Sequence, residues 1–389
     1  MSAPIAAQVP LSSLIPRWPP PLDAAVEERL LGVVRSGLWG STQGQVVETL
    51  ARRLAALHGV ASATCCANGT IAIVLALKAA GVGPGDEVIV PAYTFLATVS
   101  APLLIGAVPV FAEVDPATML LDPADVARRI TTRTRAIIPV HLAGAVADAA
   151  AMRAAAPNNV VVIEDAAQAI GAAHVSGAIG QLGDFATLSF QTSKNVASGE
   201  GGAVLCRDAA MGERVWSLHN AGRTRGGAWY QHDNVGWNLR MGELQGVLAD
   251  ATLDTLPEMT ERREAGFARL RALAAGEGLP VVPLESPGTT RHARHLMLWR
   301  LHEVAAHRRD GVVAALQAAG VHASDGYPCL NTVASVKAGI AALGGAADQP
   351  LPVTEAAAKR TFWFPQNVLL AGEEAHRAII AVMARALQS

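Results

Sequence analysis

The chain has 389 residues, of which 51% are hydrophobic and 16% are charged. This composition excludes intrinsic disorder and predicts two or three domains with a well-buried core. The net charge at pH 7 is -2, so the sequence lacks the basic surplus with which proteins bind DNA, RNA or anionic membranes. We therefore expect neither a nucleic-acid partner nor a membrane partner.

The cysteines and the apolar segments narrow the class of protein further. Cys65 and Cys66 are adjacent, Cys206 and Cys329 are isolated, and none of the four has the spacing of a metal site. No run of about 18 apolar residues is present, and the N-terminal residues lack the pattern of a signal peptide. We expect a cytoplasmic protein with reduced, buried cysteines and no bound metal.

The first part of the chain reads as an arm followed by two helices. Prolines at positions 16 and 19 to 21 disfavour regular helix, so residues 1–22 are predicted to form an arm. Apolar residues then recur at helical spacing over 23–37 and 46–58, and a glycine ends each pattern.

From residue 61 onward, short apolar strands alternate with helices. The predicted strands of this part are 61–67, 87–90, 108–111, 136–140, 160–163, 185–190 and 202–206. This alternation is typical of a mostly parallel sheet covered by helices on both faces, so the predicted fold class is α/β. We assign 23–250 to this large domain and 251–389 to a smaller α+β domain. The segment 325–346 has little periodicity and is predicted to be a loop beside the substrate site.

Four features of the predicted large domain together suit pyridoxal phosphate. Lys194 precedes a glycine-rich turn, and Asp165 ends a strand, where open α/β sheets bind ligands. Gly69 and Thr70 open a helix, whose N-terminus suits a phosphate, and Phe95 follows another strand. The cofactor needs a lysine, a carboxylate for its ring nitrogen, a phosphate site and an aromatic neighbour. Each feature alone is more often a loop residue or a helix cap.

The motifs resemble those of the DegT/DnrJ/StrS aminotransferases, which have the type I, aspartate aminotransferase-like fold. The resemblance covers nearly the whole chain and rests on six motifs in the family's order: Asn68–Thr70, Pro91–Phe95, Pro139–Gly144, Glu164–Gln168, Ser189–Gly202 and Gly236–Met241. It implies that Lys194 forms an imine with pyridoxal phosphate and moves the proton between substrate and cofactor. Asp165 then pairs with the ring nitrogen.

The same resemblance implies further contacts with the cofactor. Five residues match them: Phe95 at the ring face, Gln168 at the phenolic oxygen, and Gly69, Thr70 and Ser189 at the phosphate. Asn238 resembles the asparagine that reaches the phosphate of the neighbouring subunit, which implies a homodimer with shared active sites.

Within the family, Gln191–Lys194 and Ser198–Gly202 are similar to the cyclitol branch, which contains scyllo-inosose and 2-deoxy-scyllo-inosose aminotransferases and 3-amino-5-hydroxybenzoate synthases. Nucleotide-sugar members more often carry Pro-Leu-His where this chain has Tyr327–Asn331. The resemblance implies ping-pong transfer from glutamate or glutamine to a keto-cyclitol or keto-sugar, in aminoglycoside-like secondary metabolism. A nucleotide-keto-sugar aminotransferase and a lyase or aromatase like the hydroxybenzoate synthases are the alternatives.

Other residues have weaker assignments. Tyr327 and His141 are candidate substrate contacts, and a buried structural role is the alternative for each. Four more histidines, at positions 219, 232, 292 and 295, have no metal spacing, and we expect them to serve in packing or at the surface. A cofactor-binding regulator would need a DNA-binding appendage, for which neither terminus is long or basic enough.

Overall fold

The computed structural model describes residues 10–388. Its largest layer is a sheet of seven strands: β1 (Ser62–Cys66), β2 (Glu87–Pro91), β3 (Val108–Ala112), β4 (Thr134–Ile137), β5 (Val161–Asp165), β8 (Phe185–Ser189) and β9 (Gly202–Cys206). Their order is β1-β9-β8-β5-β4-β2-β3, and only β9 runs antiparallel to its neighbours. The predicted α/β class with a mostly parallel sheet is confirmed.

Helices cover both faces of this sheet. They are α2 (Ala24–Ser36), α3 (Val46–His58), α4 (Gly69–Ala79), α5 (Ala97–Leu104), α6 (Pro123–Arg129), α7 (Ala149–Ala155), α8 (Ala209–His219) and α9 (Glu243–Asp254), after a single turn, α1 (Leu11–Leu14). On one face Leu75 of α4 shares a core with Phe185. On the other face Leu50 of α3 shares a core with Leu188. Burial on both faces explains why the strands are apolar at consecutive positions.

A smaller unit follows the large sheet. It contains the antiparallel strands β10 (Val281–Pro283), β12 (Leu296–Leu301) and β13 (Thr361–Pro365), with α10 (Leu256–Gly276), α11 (Arg309–Ala318), α14 (Gln366–Leu369) and α15 (Glu373–Gln388). A third, small sheet joins β6 (Ala173–His174), β7 (Gly177–Ala178) and β11 (Thr289–Arg291). Trp299, Phe362 and Phe364 pack together at the centre of the smaller unit. The division near residue 250 stays a prediction.

The loop predicted over 325–346 is wrong in its second half. That half contains α12 (Ala334–Ala342), and α13 (Pro352–Ala358) follows it. Val336 and Ile340 lie four positions apart and are buried in a core shared with α4 and α5. Only two large apolar residues mark this helix, so the sequence pattern is weak and packing against the large domain stabilises the helix.

The described part of the predicted N-terminal arm, residues 10–22, packs on the smaller unit, and residues 1–9 lie outside the described residues. Leu11 and Ile15 contact the core around Trp299. A Cβ atom on Gly320 would lie 2.9 Å from the Cβ of Ser12, so the arm lies directly on the turn after α11. The sequence predicted no regular helix before the prolines, whereas the structure has the single turn α1.

Three further features concern the described part of the chain as a whole. No helix within residues 10–388 has the length and apolar character needed to cross a bilayer. In the same range, no three His, Cys, Asp or Glu side chains are grouped so that they could hold a metal ion. The four cysteines are buried free thiols.

Candidate active site

The carboxyl ends of the parallel strands bring the predicted site residues together. The segments that follow β1, β2, β5 and β8 line one cavity of about 630 Å³. Eight of the predicted site residues line it: Gly69, Thr70, Phe95, Asp165, Gln168, Ser189, Lys194 and Tyr327. Because these strands point the same way, residues more than 100 positions apart reach one edge of the sheet.

One end of the cavity is the N-terminus of α4. The Asn68 side chain accepts a hydrogen bond from the backbone N–H of Ile71 at 2.9 Å and so caps the helix. The N–H groups of Gly69 and Thr70 have no partner within the helix, because they precede its first turn of hydrogen bonds. A Cβ atom on Gly69 would lie 2.8 Å from the Cβ of Ser189, so this close approach requires glycine. Backbone donors and hydroxyls at a helix N-terminus suit a phosphate.

Asp165 ends β5 and is held by a chain of hydroxyl groups. Thr98 donates a hydrogen bond through Oγ1 to Oδ2 of Asp165 at 2.8 Å. Since that bond uses the only hydroxyl hydrogen of Thr98, the Thr94 hydroxyl must donate to Thr98 across 3.0 Å. The backbone N–H of Ala167 donates to the other carboxylate oxygen at 3.2 Å. All three side chains are buried, so the carboxylate has a fixed orientation.

Gln168 connects the cavity floor to Tyr327. Its Oε1 accepts a hydrogen bond from the backbone N–H of Ala143 at 2.6 Å. Its Nε2 donates to the Tyr327 hydroxyl at 2.9 Å, which leaves that hydroxyl free to donate elsewhere. Burial raises the pKa of Tyr327 to about 12, so the phenol is neutral at physiological pH. Tyr327 therefore offers one neutral donor to the cavity.

Lys194 lies in a tight turn after β8. Its backbone N–H donates to the carbonyl of Gln191 at 2.8 Å, and the N–H and hydroxyl of Ser193 both donate to Oε1 of Gln191 at 2.8 Å. The Lys194 side chain is half-buried and lines the cavity. Burial lowers the pKa of its ammonium group, and the charge of Asp165 offsets part of that shift. A lowered pKa increases the unprotonated fraction that a nucleophile or base requires.

His141 does not line the cavity, which corrects the expected substrate contact. Its ring is fully buried. Nδ1 accepts a hydrogen bond from the backbone N–H of Ala147 at 3.0 Å, so the ring proton is on Nε2, which donates to Glu164 at 2.8 Å. Glu164 also accepts from the backbone N–H groups of Gly180 and Gly183 at 2.9 Å each. Both ring nitrogens are occupied, and we assign His141 a structural role beside β5.

His295 lines the cavity, although the sequence analysis assigned it to packing or the surface. The Asn195 amide nitrogen donates to the carbonyl of Ala293 at 2.6 Å, so its oxygen accepts from Nδ1 of His295 at 3.1 Å. Burial and the nearby charges of Lys194 and Arg263 keep the pKa of His295 well below its ordinary value of 6.5. This neutral ring lies 100 positions from Asn195, so no local motif could have located it.

Asn238 is apart from the cavity of its own chain. It is exposed, and its backbone forms a bridge to Asn220. The segment around it also exposes four large apolar side chains: Trp229, Tyr230, Val235 and Trp237. The expected contact of Asn238 with a neighbouring subunit's cofactor stays a prediction, and its exposure leaves the side chain available for one.

The donor set of the cavity fits pyridoxal phosphate. The start of α4, with Ser189, would hold the phosphate, and Asp165 would hold the ring nitrogen. Phe95 is 60% exposed at the cavity wall, where it would cover one face of the ring. Lys194 would supply the amine. The fold and this set of residues define a pyridoxal phosphate-dependent enzyme of fold type I.

Comparison with known proteins places the chain within that class. The chain belongs to the DegT/DnrJ/EryC1/StrS aminotransferase family, which matches residues 21–383. It is 36% identical over 385 residues to a 3-amino-5-hydroxybenzoate synthase of Amycolatopsis mediterranei (strain S699), covering 96% of this chain and 97% of that protein. The crystal structure of a 3-amino-5-hydroxybenzoic acid synthase superposes with a TM-score of 0.87 at 34% identity, covering 96% of this chain and 98% of that one.

Two other relatives have different substrates in their names. An L-glutamine:2-deoxy-scyllo-inosose aminotransferase of Micromonospora echinospora is 37% identical over 405 residues, covering 94% of this chain and 92% of that protein. A UDP-N-acetyl-3-dehydro-alpha-D-glucosamine 3-aminotransferase of Acidithiobacillus ferrooxidans is 40% identical over 292 residues, covering 74% of each protein. The chain is therefore an aminotransferase of the sugar and cyclitol family that uses pyridoxal phosphate.

Proposed function

We propose that this aminotransferase moves an amino group from glutamate or glutamine to a keto-cyclitol or keto-sugar by a ping-pong mechanism. The donor leaves as a keto compound in the first half-reaction, and the keto group of the acceptor becomes an amine in the second. The similarity to a 2-deoxy-scyllo-inosose aminotransferase supports this acceptor class and a place in aminoglycoside-like secondary metabolism. We also propose that the enzyme works in the cytoplasm.

The polarity of the cavity is the observation that carries this proposal. Lys194 is the only lysine or arginine among the described residues that line it. Apart from Lys194 and the carboxylates of Asp165 and Glu200, the polar side chains of the lining are neutral, among them Gln191, Ser193, His295 and Tyr327. Such groups suit the hydroxyls of a cyclitol, whereas the pyrophosphate of a nucleotide sugar is best bound by arginine or lysine. The cavity of one chain thus favours an uncharged polyhydroxylated ring.

The positions of the residues support the following roles. Bound pyridoxal phosphate supplies an electron-withdrawing ring that stabilises negative charge on the substrate carbon. Lys194 has a lowered pKa, so its amine can accept the proton from that carbon and return it. Asp165, oriented by Thr98, keeps a negative charge beside the ring nitrogen. Gln168 holds Tyr327 so that its hydroxyl can donate to a substrate oxygen.

We further propose that the enzyme is a homodimer with shared active sites. Asn238 is exposed and lies outside the cavity of its own chain. Trp229, Tyr230 and Val235, in the same segment, are between 54% and 86% exposed, as expected for an apolar contact surface.

The acceptor is identified by a direct assay. The purified enzyme, loaded with pyridoxal phosphate, is incubated with glutamine or glutamate and with inososes, keto-sugars and nucleotide keto-sugars in separate reactions. Mass spectrometry then detects the amine. We expect amination of an inosose or a free keto-sugar; amination of nucleotide keto-sugars alone would reject this acceptor class.

The role of Lys194 is tested separately. Lys194→Ala should lose the visible absorbance of the lysine-bound cofactor and all turnover, because no other described lysine lines the cavity. Lys359→Ala is the matched control, since Lys359 is exposed and outside the cavity. Retention of both the absorbance and turnover in Lys194→Ala would overturn the assignment.

A nucleotide-keto-sugar acceptor is the second candidate function. A separate cavity of about 310 Å³ is lined by three arginines, Arg223, Arg225 and Arg240. The first two precede the exposed aromatic side chains in the chain, and the third follows them. In a dimer with shared sites this arginine cluster would approach the partner's active site with Asn238, and it could bind a pyrophosphate. Similarity to the UDP-sugar aminotransferase supports this candidate.

A dehydrating, aromatising reaction is the third candidate. It is supported by the similarity to the hydroxybenzoate synthases. The same incubations distinguish it, because an aromatic product absorbs in the ultraviolet and retains the carbon skeleton without the hydroxyl groups lost as water.

A further inference from the structure

Two side chains from outside the large sheet hold the backbone of the turn that carries Lys194. The indole N–H of Trp18 donates to the carbonyl oxygen of Lys194 at 3.0 Å. The side-chain amide of Gln366 donates to the carbonyl oxygen of Ser193, also at 3.0 Å. These two carbonyls belong to consecutive residues, so both donors act on the short stretch of backbone from which the Lys194 side chain extends.

The position of Trp18 is itself fixed by buried contacts. The guanidinium carbon of Arg263, on α10, lies 5.0 Å from the centre of the Trp18 ring. Arg263 is fully buried, and its three guanidinium nitrogens have no hydrogen-bond partner among the described residues. Among the described residues, the guanidinium group is therefore stabilised by a cation–π contact with the face of the indole. Next to it, the Asn367 amide donates to the carbonyl of Pro16 at 3.0 Å.

Both donors are attached to the smaller unit of the protein. Gln366 is the first residue of α14, and the arm that carries Trp18 packs through Leu11 and Ile15 on the core of the same unit. Lys194, in contrast, follows β8 of the large sheet. The two hydrogen bonds therefore connect the smaller unit and the arm to the backbone of the lysine.

We propose that Trp18 and Gln366 are positioning residues for Lys194: they fix its backbone so that its amine is correctly placed for the reaction. The proposal rests on the role of Lys194 in the proposed function. The side chain of a lysine has four rotatable bonds, so the amine is placed accurately only where the backbone is fixed. The backbone N–H of Lys194 donates locally, to the Gln191 carbonyl. The next residue, Asn195, is held separately, because its side chain bonds to the Ala293 carbonyl and to His295.

The test compares two identical substitutions in protein free of cofactor. Trp18→Phe removes the indole donor but keeps an aromatic ring over Arg263. Trp39→Phe is the control, because the Trp39 indole donates to the Val34 carbonyl at 3.1 Å, in α2. Hydrogen exchange is followed by mass spectrometry in a peptide that covers residues 190–198.

We expect exchange in this peptide to become roughly five- to tenfold faster in Trp18→Phe, the change produced by losing one hydrogen bond of ordinary strength. Trp39→Phe should leave it unchanged. Exchange as slow in Trp18→Phe as in the wild-type protein would overturn the proposal.

A second variant keeps the proposal testable if Trp18→Phe does not fold. Gln366→Met removes the amide donor to Ser193 with little change in length, and it should accelerate exchange in the same peptide. In the holoenzyme each variant should lower kcat with little change in KM for the amino donor. It should also shift the pH at which the absorbance of the lysine-bound cofactor changes.

Unchanged kcat and absorbance in both variants would also overturn the proposal. Failure of the proposed function is distinguishable from this result. Turnover by Lys194→Ala would reject the role of Lys194, yet the exchange measurement in cofactor-free protein would still report whether Trp18 and Gln366 hold the turn.

Discussion

The candidate site has one side that is buried and hydrogen-bonded within a single chain and another side that is open to solvent. The side around Asp165 and Gln168 is buried, and each of these side chains has hydrogen-bond partners within the chain. The side near Phe95 is open, with that ring 60% exposed, and Asn238 is exposed outside the cavity. The groups that we propose to act on the reacting atoms are thus prearranged inside the chain, whereas the open side is where we expect a second subunit to contribute.

The difference has a physical reason. A carboxylate beside the cofactor ring must keep one orientation, and buried hydroxyls such as that of Thr98 provide it at low conformational cost. An open side allows substrates to enter and leave. Large apolar side chains such as Trp229 and Tyr230 would be unfavourable in water without a partner surface.

The largest effect is expected on the buried side. Asp165→Asn keeps the shape of the side chain but removes its charge, so it should lower kcat by about 10²- to 10³-fold. Steady-state kinetics of the loaded enzyme measure this change, with Glu374→Gln as the control because Glu374 is exposed in α15. A loss of less than about tenfold would contradict a role for the buried carboxylate in the reaction.

The open side is tested by mixing two inactive or weakened proteins. Asn238→Ala should weaken cofactor binding by about 10- to 100-fold, through loss of a hydrogen bond to a charged phosphate. If Asn238 serves the partner's site, a mixed dimer of Asn238→Ala and Lys194→Ala contains one complete site. Random mixing should then restore activity at about a quarter of all sites.

The measurement is turnover after the two variants are unfolded and refolded together, compared with each variant refolded alone. If the activity of the mixture is no higher than the sum of the two separate proteins, Asn238 does not contribute to the partner's active site.

A smaller effect is expected where β9 meets the start of α4, at the proposed phosphate site. A Cβ atom on Gly202 would lie 2.5 Å from the backbone carbon of Asn68, which caps α4. Gly202→Ala should therefore destabilise the fold by about 1–3 kcal/mol and weaken cofactor binding. Thermal unfolding and cofactor titration measure both. Gly32→Ala is the control, since nothing lies within 4 Å of its added Cβ, and it should be neutral or slightly stabilising.

The smallest effect concerns pH and the half-buried Lys194. Burial lowers the pKa of Lys194 in the folded protein below its ordinary value of 10.5. The unfolded chain then binds the proton more tightly, so this group destabilises the cofactor-free protein at low pH. The penalty disappears as pH rises from the lowered folded pKa through 10.5.

The unfolding temperature of the cofactor-free wild type should therefore rise relative to that of Lys194→Met as pH increases within this window. If the difference in unfolding temperature between the two proteins is constant with pH, burial does not lower the pKa of Lys194.

Local sequence patterns were enough to predict the seven strands of the large sheet and their alternation with helices. Asp165 and Lys194 could be proposed as site residues because Asp165 ends one apolar strand and Lys194 follows another, and parallel strands end at one edge of a sheet. The helix α12 was missed because only Val336 and Ile340 mark its buried face.

Other side chains acquire their role only through contacts between distant segments. The sequence alone determined the chemical groups, the alternation of strands and helices, and the glycine turns, because these depend on residues a few positions apart. Only the tertiary structure decided that His141 is enclosed beside Glu164, that His295 lines the cavity, and that Trp18 reaches the carbonyl of Lys194, 176 positions away. Such contacts depend on how packed elements meet, and no local spacing records that.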